Sequence, residues 1–262
     1  LRLSVLASGS SGNATLVEAR GASVLVDAGI SCRRLRGLVE RLGRRLESVD
    51  AVLVTHGHSD HTSGIRRLVR ECGTEVYAGP GVAEEIGARR VEAGEALDFG
   101  GLVAEFFPVP HDSPACGIRL SGGERTVALA TDLGEVTPEV LERLRGAAVV
   151  VLEANHDPEW LWHGPYPERL KRRVASERGH LSNVQAAEAA LALASGGLED
   201  LVLAHLSRTN NSPARALGTV RRVLRAAGFE RVRVHVARRE RPIPWVGAGG
   251  RTAVEPALFD AG

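Results

Sequence analysis

The run Thr55-His56-Gly57-His58-Ser59-Asp60-His61 constrains this chain more than any other stretch. It places three imidazoles and a carboxylate within six residues, directly after an apolar strand, Ala51-Val52-Leu53-Val54. An imidazole nitrogen is the commonest ligand for a borderline divalent ion, and a carboxylate adds a harder ligand and a hydrogen-bond acceptor. A mononuclear site has little use for all four. In extended geometry alternate side chains share a face, so His56 and His58 can grip one ion while the following turn presents Asp60 and His61 to a second. The arrangement predicts two divalent ions. The chain holds nine histidines in 262 residues, so three in one hexapeptide is a poor match to a histidine-containing surface loop.

The pattern His-x-His-x-Asp-His after an apolar strand resembles the signature of the metallo-β-lactamase superfamily. That resemblance implies three further ligands at strand ends: a lone His, an Asp that bridges both ions, and a late His. His111 follows the apolar run 102–109, where Pro108 and Pro110 are expected to end any ladder. Asp132 follows residues 126–131, and His205 follows residues 201–204. The resemblance therefore implies His56, His58 and His111 on one ion, Asp60, His61 and His205 on the other, and Asp132 between them. Taken singly, each late residue also suits a surface histidine or a turn aspartate, and it is their order that favours ligation. Asp27 closes Val24-Leu25-Val26 and matches the superfamily's early Asp. For it the resemblance implies a role orienting the metal loop, because a bound imidazole needs a partner for its other N–H. It can equally cap the turn before the next helix.

The fold class expected is α/β. At this length the chain can bury a large core in one or two domains. Apolar runs alternate with helical patterns, and no linker or solenoid repeat interrupts them. One domain is expected over residues 1–246, with 247–262, small and weakly patterned, as a flexible tail. Residues 3–7, 15–18 and 24–26 read as strands with Gly21 in the turn between the last two, and 31–42 and 63–72 read as helices. Ligands drawn from strand ends in both halves suit the four-layer αβ/βα sandwich that the superfamily implies, with the site at one edge.

A net charge of +1 does not advertise a nucleic-acid binder. Its distribution is less even: Arg169, Lys171, Arg172, Arg173 and Arg178 form one cluster, and Arg238, Arg239 and Arg241 another. Each can be a phosphate contact or a solvated face. Lys171 is the only lysine among 33 basic residues, which suits bidentate phosphate contacts or reflects codon bias. Cys32, Cys72 and Cys116 are odd in number and widely spaced, which implies a reducing compartment and no disulfide framework. No apolar run approaches the ~18 residues that span a bilayer, and the first residues lack a secretory pattern. A cytoplasmic protein without membrane association is expected.

Two ions about 3.5 to 4 Å apart and bridged by a carboxylate supply hydroxide at neutral pH and stabilise a displacement, so the chemistry implied is hydrolysis. Asp60 can also take a proton from the attacking water. Gly179-His180-Leu181-Ser182-Asn183 opens a helix that Ser182 or Asn183 can cap, and resembles the Gly-His-Ser-Thr element of ribonuclease Z. The resemblance implies that His180 is a general acid or a phosphate clamp, and that Glu153 orients it. A carboxylate on one ring nitrogen raises an imidazole's pKa and fixes its tautomer.

Together with Leu6-Ala7-Ser8-Gly9-Ser10-Ser11-Gly12-Asn13 near the start, Glu153-Ala154-Asn155-His156-Asp157, and His205-Leu206-Ser207 followed by Asn210-Asn211, these motifs look like the YycJ (WalJ) branch of the superfamily. The resemblance spans residues 1 to 246. It implies a metal-dependent 5′ to 3′ exonuclease of double-stranded DNA, linked to repair, with Ser10, Asn13, Asn155, His156, Ser182 and Asn211 as candidate substrate contacts. Departing from larger nucleases of the superfamily, the chain has no separate nucleic-acid clamp inserted between Asp132 and His205. Trp160, Trp162 and Tyr166 lie there, as stacking platforms or as core anchors. The competing readings are a small-molecule hydrolase acting on a lactone, thioester or cyclic phosphodiester, and a non-catalytic metal-stabilised module. Histidine and carboxylate ligands without thiolate suit Zn²⁺, Mn²⁺ or Fe²⁺ alike. A homodimer and repair proteins are open expectations as partners.

Overall fold

The computed structural model describes residues 1–92 and 94–247; the tail expected over 247–262 thus lies, apart from Gly247, outside the described residues. Two mixed sheets carry the fold. The first runs β1 (Arg2–Ala7), β2 (Ala14–Ala19), β3 (Ala22–Val26), β4 (Ala51–Val54), β5 (Glu75–Ala78) and β6 (Arg89–Arg90), in that spatial order. Strands β1 to β3 are antiparallel, and β3 to β6 are parallel. Arg20 and Gly21, both with positive φ (52° and 91°), form the two-residue turn between β2 and β3, the twist a tight hairpin needs.

The second sheet holds β7 (Ala96–Asp98), β8 (Leu102–Pro108), β9 (Cys116–Gly122), β10 (Arg125–Ala130), β11 (Val149–Glu153), β12 (Asp200–Ala204) and β13 (Arg233–Val236), also in spatial order. Its first four strands are antiparallel and its last four, counted from β10, parallel. The ladder in β8 runs further than its prolines suggest. Pro108 is paired opposite Cys116, and the N–H of Val109 still donates to the Ala115 carbonyl at 3.2 Å. Pro108 lacks only its own N–H, which costs nothing where the strand ends.

Among the described residues nine α-helices connect and cover the sheets: α1 (Cys32–Arg41), α2 (Ser59–Thr62), α3 (Ile65–Cys72), α4 (Val82–Ile86), α5 (Pro138–Leu144), α6 (Pro158–His163), α7 (Glu168–Val174), α8 (Asn183–Ala194) and α9 (Pro213–Ala226). Three apolar clusters separate four layers. Leu6, Leu25 and Val52 of the first sheet pack with Leu35 of α1 and Leu68 of α3. Val5, Val17, Leu53, Ile118, Leu129 and Val151 fill the space between the sheets. Val150, Leu203 and Ala128 face Leu144, Ala186 and Val220 of the outer helices. Alternate residues of one strand fall in different clusters, as the period of two dictates for a strand buried on both faces. This is the αβ/βα sandwich. All three cysteines are free, and no described helix is long and apolar enough to cross a membrane.

Candidate metal centre

Parallel strands bring their carboxyl ends to one edge of each sheet, and that edge is where open α/β sheets place ligands. Asp27 follows β3, the Thr55–His61 loop follows β4, Asp132 follows β10, Glu153 ends β11 and His205 follows β12. Three of these residues leave their strands in the left-handed region: Asp27 (φ 61°), Asp132 (φ 58°) and His205 (φ 54°). That conformation is rare for side chains other than Gly, Asn or Asp and clusters at functional sites. It turns each side chain back across the sheet end. Gly29 lets the metal loop lie flush, because a Cβ there would collide with the backbone carbonyl of Asp60.

The side chains converge in two overlapping sets. His56, His58 and His111 offer ligand atoms within 4.8 Å of one another, as do Asp60, His61 and His205. Between them stands Asp132, with one oxygen 3.2 Å from His61 Nε2 and the other 3.3 Å from His205 Nδ1. Asp60 lies 3.8 Å from His61 Nε2 and 3.6 Å from His205 Nε2. His56 Nε2 and His58 Nδ1 are 3.1 Å apart.

A framework of hydrogen bonds aims these ligands. Asp27 accepts from the Thr55 backbone N–H (2.9 Å) and sits 2.7 Å from His61 Nδ1, which leaves Nε2 facing Asp132. The Thr55 hydroxyl touches Asp27, His56 Nδ1 and His61 Nδ1 together. Glu153, fully buried, does the equivalent job on the other side. Its Oε1 lies 2.9 Å from His180 Nδ1 and 2.7 Å from His205 Nδ1, while Oε2 accepts from the N–H groups of Leu133 and Leu181.

Charge in the site follows from burial and neighbours. Burial, then His61, pushes the His56 imidazole down to about 3, and burial also lowers His111. Burial opposes charge on His61 as well, yet Asp27 and Asp132 hold it at about 10. His205 is raised in the same way, well above its ordinary value, by Asp132, Asp60 and Glu153 against burial. Burial would raise Glu153, but His180 and His205 bring it to about 2. Reciprocally, Glu153 overcomes the desolvation of His180 and lifts it above the usual histidine value. Buried carboxylates this dense demand positive charge, from protons or from cations.

A family model for the beta-lactamase superfamily domain matches residues 22–206. The chain belongs to the metallo-β-lactamase superfamily. Exodeoxyribonuclease WalJ of Streptococcus pneumoniae is 36% identical over 223 residues, covering 80% of this chain and 83% of its own. Exodeoxyribonuclease YycJ of Bacillus anthracis is 35% identical over 240 residues, covering 87% and 91%. Among solved structures, the metallo-β-lactamase fold protein YhfI of Bacillus subtilis superposes with a TM-score of 0.70 at 19% identity, over 92% of this chain and 98% of that one.

Metallo-β-lactamase hydrolases bind divalent metal, and the residues here fit that group. Both ring nitrogens of His111, Nε2 of His205 and Oδ2 of Asp132 are buried without a hydrogen-bond partner among the described residues. Buried polar atoms are otherwise almost always paired. The approach of His111 Nε2 to Asp112 (3.2 Å) lacks hydrogen-bond alignment. Imidazoles beside oxygen ligands, with no thiolate, make a donor set for a borderline or hard divalent ion.

Of the residues expected to touch substrate, Ser10 alone is exposed, at the tip of the loop after β1. Asn13 is buried beneath the metal loop, where its amide meets His61 Nε2 at 2.9 Å and accepts the Gly9 N–H. Asn155 donates to the His205 carbonyl (2.9 Å). Asn211 donates to the carbonyls of Ala154 and Asn155 and exchanges hydrogen bonds with Asn183. Ser182 caps α8 through Gln185, and His156 is buried with Nδ1 unpartnered among the described residues. Sequence reasoning passed over Thr55 and Ser8, whose hydroxyl accepts the His205 N–H at 2.7 Å. Their adjacency to a motif histidine and to the Gly-rich loop was the available signal.

Proposed function

We propose that the chain is a dinuclear metal-dependent phosphodiesterase, working as a 5′ to 3′ exonuclease on double-stranded DNA in repair. The observation that carries the reading is the Glu153–His180 pair (2.9 Å) set beside both ligand clusters, with His180 also 3.7 Å from Asp132. A thioester, whose thiolate leaves unaided, needs no such acid, whereas an alkoxide leaving from phosphate does. The exodeoxyribonucleases at 35–36% identity support the same substrate class.

In this reading His56, His58 and His111 hold one ion, Asp60, His61 and His205 the other, and Asp132 both; Zn²⁺ and Mn²⁺ are the candidates. Bound there, the ions would lower the pKa of water and offset charge developing on the phosphate. Glu153 fixes Nδ1 of His180, so Nε2 is the atom left to give a proton to the leaving oxygen. The Glu153 carboxylate raises the His180 pKa and so favours the proton on the ring. Asp60, the most accessible carboxylate of the cluster, takes the proton of the attacking water. Ser10 meets the substrate chain. Asn13, Asn155, His156, Ser182 and Asn211 act from beneath by fixing the loops. Residues 1–246 form the catalytic unit, and the free thiols support a reducing, cytoplasmic setting. A homodimer and repair partners belong to the same reading.

The second reading, a small-molecule hydrolase, is favoured by one feature. A cavity of about 390 Å³ lined by Phe106, Phe107, Pro108 and Pro114 opens beside His111 and is apolar enough for an acyl chain. The test is degradation of linear duplexes labelled at the 5′ or the 3′ end by metal-free protein resupplied with Mn²⁺ or Zn²⁺, with Asp132→Ala as control. Release of the 5′ label by wild type alone is the expected result. Intact duplex together with cleavage of a lactone or thioester would transfer the assignment to the second reading.

A further inference from the structure

A pocket of about 460 Å³ lies next to the His205 side of the metal centre. Its floor includes Ser8 and Leu206, and its walls carry Arg208, Arg238, Arg239 and Arg241 against a single carboxylate, Glu240. Ser8 ties the floor to the site, since it accepts the backbone N–H of His205. The N-terminal end of the 14-residue helix α9, at Ser212 and Pro213, opens into the same space and adds its positive dipole end.

The arginines are held there against their own repulsion. Elsewhere on the surface Arg36, Arg89, Arg125 and Arg233 each reach a carboxylate. None of the four pocket arginines makes an ion pair among the described residues. Arg239 is half-buried, and its Nη2 donates to the Leu206 carbonyl at 3.3 Å. Its own carbonyl is held by Arg34, and Gly9 leaves room for the guanidinium: a Cβ there would come within 3.2 Å of Arg239 Nε. Burial and the neighbouring Arg208 both work against the charge on Arg239. Four like charges with one carboxylate among them and no ion pair, on a segment fixed to the back of a candidate metal ligand, are a standing site for an anion. The guanidinium fork matches paired phosphate oxygens.

We propose that this pocket is a phosphate subsite, which takes a phosphate of the nucleic-acid chain beside the one at the metal centre and so sets which bond is cut. The proposal rests on the phosphodiesterase reading. Two sources share the chemistry, an internal phosphodiester and a terminal phosphomonoester.

The experiment compares wild type, Arg208→Ala/Arg241→Ala, Arg239→Ala and Arg239→Lys in the metal-loaded full chain, on 5′-phosphorylated and 5′-hydroxyl duplexes. Arg70→Ala/Arg222→Ala removes equal charge from α3 and α9 outside the pocket and serves as control. Because Arg208 and Arg241 are exposed, their variant tests the pocket without disturbing the fold. We expect its KM to rise about tenfold or more with kcat moving much less, and the salt slope to drop by about one per lost contact. Arg239→Lys should recover most of what Arg239→Ala loses. A loss confined to 5′-phosphorylated ends identifies the monoester, and an equal loss on both identifies the diester. A KM shift no larger than that of the control overturns the subsite. If wild type cuts neither duplex, the phosphodiesterase reading has failed separately. The subsite is then judged by calorimetry with inorganic pyrophosphate on the metal-free protein, where equal Kd in wild type and Arg208→Ala/Arg241→Ala removes it and a loss of about tenfold keeps it.

Discussion

Glu153 Oε1 stands 2.7 Å from Nδ1 of His205, and the same oxygen reaches His180. One carboxylate thus aims a candidate metal ligand and the candidate acid together. Replacing it with glutamine keeps the shape and removes the charge. We expect Glu153→Gln to weaken binding at the Asp60, His61 and His205 side by about 10- to 100-fold, the scale for loss of a ligand's hydrogen-bond partner. The pH–kcat profile of the metal-saturated variant should also shift its alkaline limb to lower pH. A metal titration with no change in either constant would break the link between the two histidines.

Asp132 touches His61 and His205 of one ligand set and groups with His56 of the other. Asp132→Ala should fall from a pair of bound ions to at most a single one by atomic emission, and lose phosphodiester hydrolysis. Retention of a full metal complement with normal turnover would remove the bridging assignment.

Gly29 abuts the Asp60 carbonyl. Gly29→Ala must push the metal loop away or distort its own turn, and overpacking of this kind costs about 1–3 kcal/mol. The expected outcome is a lower urea midpoint and a loss of metal affinity, although no ligand has been touched. A variant of wild-type stability and affinity would show that the loop has slack.

At the far end of β12, Asp200 accepts from Arg233 (2.7 Å) and lies 2.7 Å from His235 Nε2. Burial raises the Asp200 carboxyl, but His235 and Arg233 outweigh it and hold the group below its ordinary value. A carboxyl depressed in the fold stabilises above its unfolded pKa of about 4, and that contribution is lost as pH falls through the folded value. Asp200→Asn should therefore be about 1–3 kcal/mol less stable near neutrality. Its deficit should shrink on acidification below about pH 4. A deficit independent of pH would mean that shape, and not charge, is what matters there.

The edge-of-sheet site was readable because its parts are local patterns: an apolar run, then a polar side chain, repeated at Asp27, His56, His111, Asp132, Glu153 and His205. Gly21 likewise marked its hairpin. Connections made through space left no such trace. The bond from Glu153 to His205 joins residues 52 apart in the chain, and the Asn183–Asn211 amide pair joins residues 28 apart. The family resemblance implies substrate contacts at Asn155 and Asn211, whereas their bonds to the loops after β11 and β12 emerge only from their burial in the fold. In the sequence Arg238, Arg239 and Arg241 suit a phosphate contact or a solvated face alike, because a missing counter-ion is visible only when every neighbour has a position.

The left-handed backbone at Asp27, Asp132 and His205 couples local strain to the polar framework. A glycine at any of them would relax a conformation that costs an ordinary residue of order 1 kcal/mol, yet would delete the side chain that the turn aims. At Asp27 it would also strip the buried Thr55 N–H and His61 Nδ1 of their acceptor, a loss of about 1–3 kcal/mol. Turn and side chain there are replaceable only together, so a thermostability screen has no single-step route to erasing Asp27 even where activity is not scored.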